Sequence, residues 1–430
     1  MCTTEPSRSS SSSSSSSNAT FQWNSTIRRS GPEQALRIYT RSVLRSGAAP
    51  NKFTFTFLLK SLLRSSPSLL RFLPHLHSHL TILGLHSDPF LLSSLIAAYA
   101  RADSPSVAAR LFRQSPYKDT VLRTALVSAL AKCRLPDLAR HAFDEMPHPN
   151  PVSWAALISA YARAGRPADA LSTFLRMRTA DVAPTEAALA SALSAASNLG
   201  AAEQGECVHC VAVRNGPPTA AVCTAALTMY ASCGRVEDAS KAFDEMLDRD
   251  SAAWTAMISA LASHGRGGDA LRLFDGMVES GATPDYVTYV GVLHACGHAG
   301  LVHEAGGYFR QMMTVYGIVP RAEHYGCMVD VLGRAGRVEE AWELVRLMPM
   351  EPDEYVLKSL LSACCSSDGF VEYAEWAAEK LRRLDVRHAS SYVLLSNAYI
   401  GTERWEESAR VRRLMRELGV RKSSGQSSVD

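Results

Sequence analysis

Cys207-Val-His-Cys210 has the spacing of half a structural zinc site or of a dithiol redox pair. No second pair stands near it in the sequence, and the segment lies in a helical pattern, so two core cysteines are the simpler reading. His75, His77 and His79 offer three imidazoles at intervals of two, which on a helix sends neighbours to different faces and argues against a three-ligand metal site. Adjacent Cys364 and Cys365 read as packing residues. A late basic cluster, Arg382, Arg383, Arg387, Arg410, Arg412, Arg413, Arg416 and Arg421, has the charge to contact phosphates. Glu406, Glu407 and Glu417 are interleaved with it, so solvated, ion-paired helix faces are the plainer expectation.

None of these clusters builds a catalytic centre, and composition narrows the field further. The 430 residues are 47% hydrophobic and 20% charged, enough for a continuous core, and the formal net charge is only +3. A polyanion partner would therefore have to meet a local stripe rather than a global field. Ten cysteines are too few for a disulfide scaffold and fit a reducing or organellar compartment. No run of eighteen apolar residues is present, so no membrane partner is expected. Residues 1–19 hold the run Ser9 to Ser17 with one Arg and one Glu, and read as a disordered tail or a short transit peptide.

Beyond that tail the chain superimposes on itself. VSWAALISAYARAGRPADALSTFLRM from Val152 matches AAWTAMISALASHGRGGDALRLFDGM from Ala252, aligning Trp154 with Trp254 and Phe174 with Phe274; AFDEM at Ala142 recurs at Ala242. Gly165, Gly200, Gly234, Gly265, Gly300 and Gly336 punctuate the pattern every 31 to 36 residues. Within one period Trp154, Ile158 and Tyr161 share a helical face, Gly165 breaks it, and Ala170, Phe174 and Met177 resume it, so each period is helix, turn, helix. Ordering about 35 residues at about 1.5 kcal/mol each requires roughly 2,000 Å² of apolar burial. Two short helices cannot supply that alone. Successive hairpins must stack, which predicts an all-α fold, an α-solenoid in which the first helices line one extended surface.

These residues resemble the plant pentatricopeptide repeat (PPR) family, in the class that alternates repeats of different length. The repeats read as 20–51, 52–88, 89–119, 120–150, 151–185, 186–219, 220–250, 251–285, 286–321 and 322–353, the last opening with AEHYGCMVDVLGRAGRVEEA. Residues 354–388 and 389–423, including SYVLLSNAYIGTERWEESARVRRLMRELGVRK, resemble the two E motifs of the family's editing-factor subgroup; 424–430 is a tail. The resemblance implies a right-handed superhelix of tandem helix-turn-helix repeats. Two departures stand out: the first repeat lacks about one helical turn between Ile27 and Gly31, and the last residues do not form the family's Pro-Gly-x-Ser-Trp ending.

The resemblance also implies a site. In this family each repeat reads one unpaired RNA base with the residue after the anchor of its first helix and with its own final residue. Here those pairs are Asn24 with Asn51, Thr56 with Asp88, Ser93 with Asp119, Thr124 with Asn150, Thr224 with Asp250, and Thr255 with Asp285. A hydroxyl with Asp suits guanine, and Asn in place of Asp suits adenine. The implied order is pyrimidine, guanine, guanine, adenine, two unread positions, guanine, guanine. Val121, Val152 and Val287, two residues before their anchors, are the aliphatic groups that sandwich bases in the family. Ala155 with Thr185, Ala190 with Thr219, Val290 with Arg321, and Gly326 with Asp353 do not fit the donor scheme. Ser, Thr, Asn and Asp are also ordinary helix-capping and turn residues, a competing explanation for every pair.

Zinc deaminase chemistry needs His-x-Glu and Pro-Cys-x-x-Cys, and neither occurs. The expectation is therefore a non-enzymatic protein without cofactor: an RNA-specificity factor for C-to-U editing in a mitochondrion or chloroplast, the mitochondrion slightly favoured. Its partners would be single-stranded organellar RNA, a deaminase acting in trans and accessory editing factors. The alternatives are an RNA stability, splicing or translation factor acting by occupancy, and a peptide-binding scaffold of the tetratricopeptide kind.

Overall fold

The computed structural model describes residues 12–43, 50–65, 67–115, 119–366, 369–384 and 389–420, with backbone only for 12–19, 42, 43 and 67. Arg387, Arg421 and the two ends, 1–11 and 421–430, lie outside the described residues. Within these the chain forms twenty-four α-helices and no strand. Two compact bodies emerge, Met1–Pro217 and Pro218–Asp430.

In the first body, one layer holds α1 (Ser12–Arg29), α3 (Lys52–Leu62), α5 (Pro89–Arg101), α7 (Thr120–Lys132), α9 (Pro151–Arg163) and α11 (Glu186–Leu199). The other layer holds their partners α2 (Pro32–Ile38), α4 (Leu73–Ile82), α6 (Pro105–Gln114), α8 (Pro136–Asp144), α10 (Pro167–Thr179) and α12 (Ala202–Arg214). The second body repeats the scheme. Its first helices are α13 (Ala220–Ser232), α15 (Ser251–Ser263), α17 (Tyr286–Ala299), α19 (Ala322–Arg334), α21 (Glu354–Cys365) and α23 (Ala389–Gly401). Their partners are α14 (Val236–Asp244), α16 (Gly267–Glu279), α18 (Val302–Thr314), α20 (Val338–Arg346), α22 (Val371–Leu384) and α24 (Trp405–Glu417). Within each body every first helix packs against the next first helix, as a stacked solenoid requires.

The core follows the sequence pattern. Trp154, Ile158, Tyr161, Ala170, Phe174 and Met177 are all buried. The recurring AFDEM segment supplies an aromatic contact between hairpins, in which Phe143 meets Trp154 edge-on at 4.6 Å and Phe243 meets Trp254 at 5.0 Å. Each of these phenylalanines thus locks the second helix of one hairpin onto the first helix of the next, with the geometry aromatic quadrupoles favour. Between α5 and α20, length variation is carried mainly by the second layer. From α5 to α19 the first helices keep 13 or 14 residues, whereas α6, α8, α14 and α20 have 9 or 10 and α10, α12, α16 and α18 have 13.

The six turn glycines all adopt left-handed φ, between 65° and 77°. Three turns break that rule: Asp103 (φ 53°), Arg134 (φ 55°) and Glu403 (φ 60°) occupy the same left-handed position. A side chain there crowds its own carbonyl, at a cost that glycine avoids. Arg134→Gly is therefore expected to stabilise the chain by about 0.5–1 kcal/mol, and Gly165→Arg to do the reverse, each read as a shift of the urea midpoint.

One expectation needs correction, and one anchor is unusual. The first helix starts at Ser12, not after residue 19, so helical backbone runs into the serine segment. Serine sits mid-scale in helix propensity, and extending a helix already packed downstream needs no new nucleus. The anchor before Thr124 is not apolar: it is Arg123, whose guanidinium lies 5.7 Å from the Phe112 ring and whose Nη1 donates to the Glu145 carbonyl at 3.0 Å. Its stem fills the slot that Trp154 fills one repeat later.

Candidate nucleic-acid interface

Each repeat-ending residue named above is the N-cap of the following first helix. The Oδ1 atoms of Asn51, Asp88, Asp119, Asn150, Asp250, Asp285 and Asp353 accept backbone N–H groups two or three residues on, at 2.8–3.2 Å. Capping thus explains why these positions are Asp or Asn. It leaves chemistry over, because one side-chain atom does the capping and the second, Oδ2 or Nδ2, is not needed for it.

Three of the six pairs come together. Asn24 Nδ2 donates to Asn51 Oδ1 at 3.0 Å, while Asn24 Oδ1 accepts the Thr54 hydroxyl at 2.6 Å. Asn150 Nδ2 donates to Thr124 Oγ1 at 3.2 Å. Thr255 reaches Asp285 through Thr288: the two hydroxyls are 2.7 Å apart, and Thr288 donates to Asp285 Oδ1 at 2.9 Å. The other hydroxyls do not meet their partners in this way. Thr56 donates to the Lys52 carbonyl and Ser93 to that of Phe90, whereas Thr224 Oγ1 is buried with no hydrogen-bond partner among the described residues.

Val121, Val152 and Val287 are exposed, at 56%, 57% and 39%. So are Phe21, Phe53 and Phe90, which stand at the same second position of their repeats and which sequence reasoning missed. The signal was available in the register, but an aromatic residue near a helix start reads first as core. Eleven residues after each second position lies within about 20° of the same helix face. In four consecutive repeats of the first body the residue at that spacing is basic and exposed: Arg101, Lys132 and Arg163 on their helices, and Arg64 just past the end of α3. One face of the first-helix layer therefore carries exposed apolar groups, short polar pairs and a row of cations.

In the second body one such position is covered. The Tyr355 ring lies where a Cβ on Gly326 would stand, 2.3 Å from that position, so the fifth position of repeat 322–353 is covered by the next hairpin. Arg321 is likewise occupied, its guanidinium 4.0 Å above the Tyr286 ring. These contacts account for two of the pairs that fit no donor scheme.

Several of the remaining candidates are structural. His77 Nδ1 bonds the Tyr99 hydroxyl at 3.0 Å and His79 Nδ1 bonds that of Tyr39, so these two imidazoles tie neighbouring helices. Burial pushes the Cys364 thiol up to about 12 and the Cys365 thiol up to about 11, as for inert packing cysteines. Cys207 and Cys210 correct the core reading: both are exposed on α12. Arg382 and Arg383 pair with Glu379 on their own helix, at 2.8 and 3.2 Å.

Stacked helical hairpins with a polar and cationic face along one layer define a class of repeat protein, and the comparisons place the chain within it. The profile described as "PPR repeat" matches residues 121–148, 152–182, 221–251, 287–314 and 323–351; "PPR repeat family" matches 249–298, and "E motif" matches 369–430. The pentatricopeptide repeat-containing protein At5g08510 of Arabidopsis thaliana is 39% identical over 95% of this chain and 81% of its own length. From the same plant, the proteins named CRR2, chloroplastic, and At2g03880, mitochondrial, are 35% and 38% identical over 94% and 90% of this chain. The chain spans 58% and 56% of those two relatives. The crystal structure of PPR10 in complex with an 18-nt psaJ RNA element superposes with a TM-score of 0.77 at 19% identity, over 94% of this chain and 61% of that one. The chain belongs to the plant pentatricopeptide repeat family, and carries the E motif of one of its subgroups.

Proposed function

We propose that the protein binds one short single-stranded RNA segment along its first-helix layer, one nucleotide per repeat, and serves as a site-recognition factor for C-to-U editing in a plant organelle. The observation that carries the RNA reading is the common register of exposed apolar residues, short polar pairs and cations. Apolar and aromatic groups at the second positions of repeats stack on bases, the fifth and last residues face base edges, and Arg64, Arg101, Lys132 and Arg163 neutralise phosphates. Capping through Oδ1 fixes Oδ2 or Nδ2 in place, so the reading atom is held by the helix end rather than by a free rotamer. The E-motif hairpins would recruit the deaminase and accessory factors. Relatives named for chloroplasts and for mitochondria support an organellar setting without choosing between the two.

Selection from a random RNA pool tests the base assignment. Enrichment of guanine, guanine, adenine at repeats 52–150, then two free positions, then two guanines, is the expected outcome; an unenriched pool refutes the reading. Sequencing organellar transcripts after loss of the protein tests editing: one unedited cytidine supports it, and altered transcript ends point to occupancy instead. For the phosphate row, Lys132→Ala should weaken binding similarly for all sequences and lower the slope of log K against log salt by about 0.7.

A further inference from the structure

His294 and His298 lie four residues apart on α17, and the structure brings their rings face to edge with Nε2 3.1 Å from Nε2. Two neutral imidazoles in this position share a single proton between two nitrogens, so at least one lone pair points into the gap. An ion about 2.0–2.1 Å from each nitrogen, the usual length of a zinc–imidazole bond, would see them at an angle of about 98°, between octahedral and tetrahedral values. His294 is half-buried and His298 exposed, so the pair opens to solvent on one side only.

A carboxylate lies beside the pair. Asp330 of the adjacent α19 brings Oδ2 to 3.7 Å from the place of a Cβ on Gly297, one residue from His298 and three from His294. That carboxylate also accepts from Arg334 Nε at 2.8 Å, which fixes it beside the pair. Glycine at 297 is what lets α19 approach so closely, since a Cβ there would already sit 3.3 Å from Val331.

We propose that His294 and His298 form a two-imidazole clip for a divalent transition-metal ion of the zinc type. Borderline ions suit imidazole donors, and two histidines spaced four apart on one helix face are a known zinc-binding arrangement. Binding moves the Nε2 proton of the donating ring to its Nδ1, freeing both Nε2 lone pairs for the ion. Among the described residues no third His, Cys, Asp or Glu completes the set, so the other coordination positions are taken by water or by an oxygen of a bound partner. His294 and His298 follow Val287 by seven and eleven residues, each within about 20° of the same helix line. The open positions therefore lie on the side proposed above to hold RNA. That consequence rests on the RNA reading, whereas the metal site does not.

The test is calorimetric titration of ZnCl2 into the full chain without RNA, in a background carrying Cys207→Ser and Cys210→Ser to remove the exposed thiols. One equivalent should bind, and His294→Ala and His298→Ala should each weaken it at least tenfold while the circular dichroism spectrum is unchanged. His298→Gln, at the exposed position, should do the same if His294→Ala fails to fold. Isotherms that match the unsubstituted histidines in His298→Ala and His298→Gln would overturn the site. Because no RNA is present, that result would leave the RNA proposal standing, and an unenriched RNA pool would leave the clip standing.

Discussion

Asp285→Asn is expected to move the preference of repeat 251–285 from guanine toward adenine by about 1–3 kcal/mol, the range of a good base-edge contact, with little change in stability. The structure explains why specificity and stability should separate. Oδ1 of Asp285 accepts the Thr288 N–H at 2.9 Å and the Thr288 hydroxyl at 2.9 Å, and an asparagine oxygen can take over both bonds. Asn and Asp are near equals as N-caps, apart from a small loss of charge at the helix N-terminus. Only the second atom changes, from carboxylate acceptor to amide donor. Asp285→Ala should instead cost about 1 kcal/mol of stability and weaken both bases. Binding of two oligoribonucleotides differing at one base, with thermal melts of each variant, checks the claim; equal loss for guanine and adenine in Asp285→Asn would refute it.

Phe243→Ala should destabilise the second body by about 3–5 kcal/mol. Phe243 is 2% exposed, edge-on to Trp254, with the Arg249 guanidinium 4.6 Å from its ring centroid. Removing it empties the seam between α14 and α15 and takes away the edge-on partner of Trp254. Since each hairpin is stable only through its neighbours, the loss should appear as an early, partial transition in urea rather than a uniform shift. Leu247→Ala, four residues on and 97% exposed, is the control and should stay within about 0.5 kcal/mol. Similar midpoints for the two variants would show that the aromatic seam does not hold the stack.

Much of this was legible in the sequence because the repeat multiplies each weak signal. Gly165 alone is a turn, whereas six glycines at one spacing fix the period, and Trp154 aligned with Trp254 fixes the buried face. Asp103 and Arg134 escaped because their left-handed backbone is imposed by the hairpin and not by their own preference. Phe21, Phe53 and Phe90 escaped for the opposite reason: their chemistry argues for burial, and only the register with Val121 and Val152 shows them to be outside. The cover that Tyr355 places over Gly326 joins residues 29 apart in different hairpins, and no local pattern records it. The pairs themselves were found by resemblance, while their capping role was the rival explanation. Capping is what the atoms show, and the base reading proposed above would use the atom that capping leaves free.

That shared residue has a consequence for anyone who would rewrite the protein's preferences. The letter that closes one module is also the foundation stone of the next, so modules cannot be cut at their boundary and exchanged like beads. Under the proposed base reading, a recoded position must satisfy its own nucleotide and its neighbour's first turn together. The usable alphabet therefore shrinks to the few short side chains able to do both.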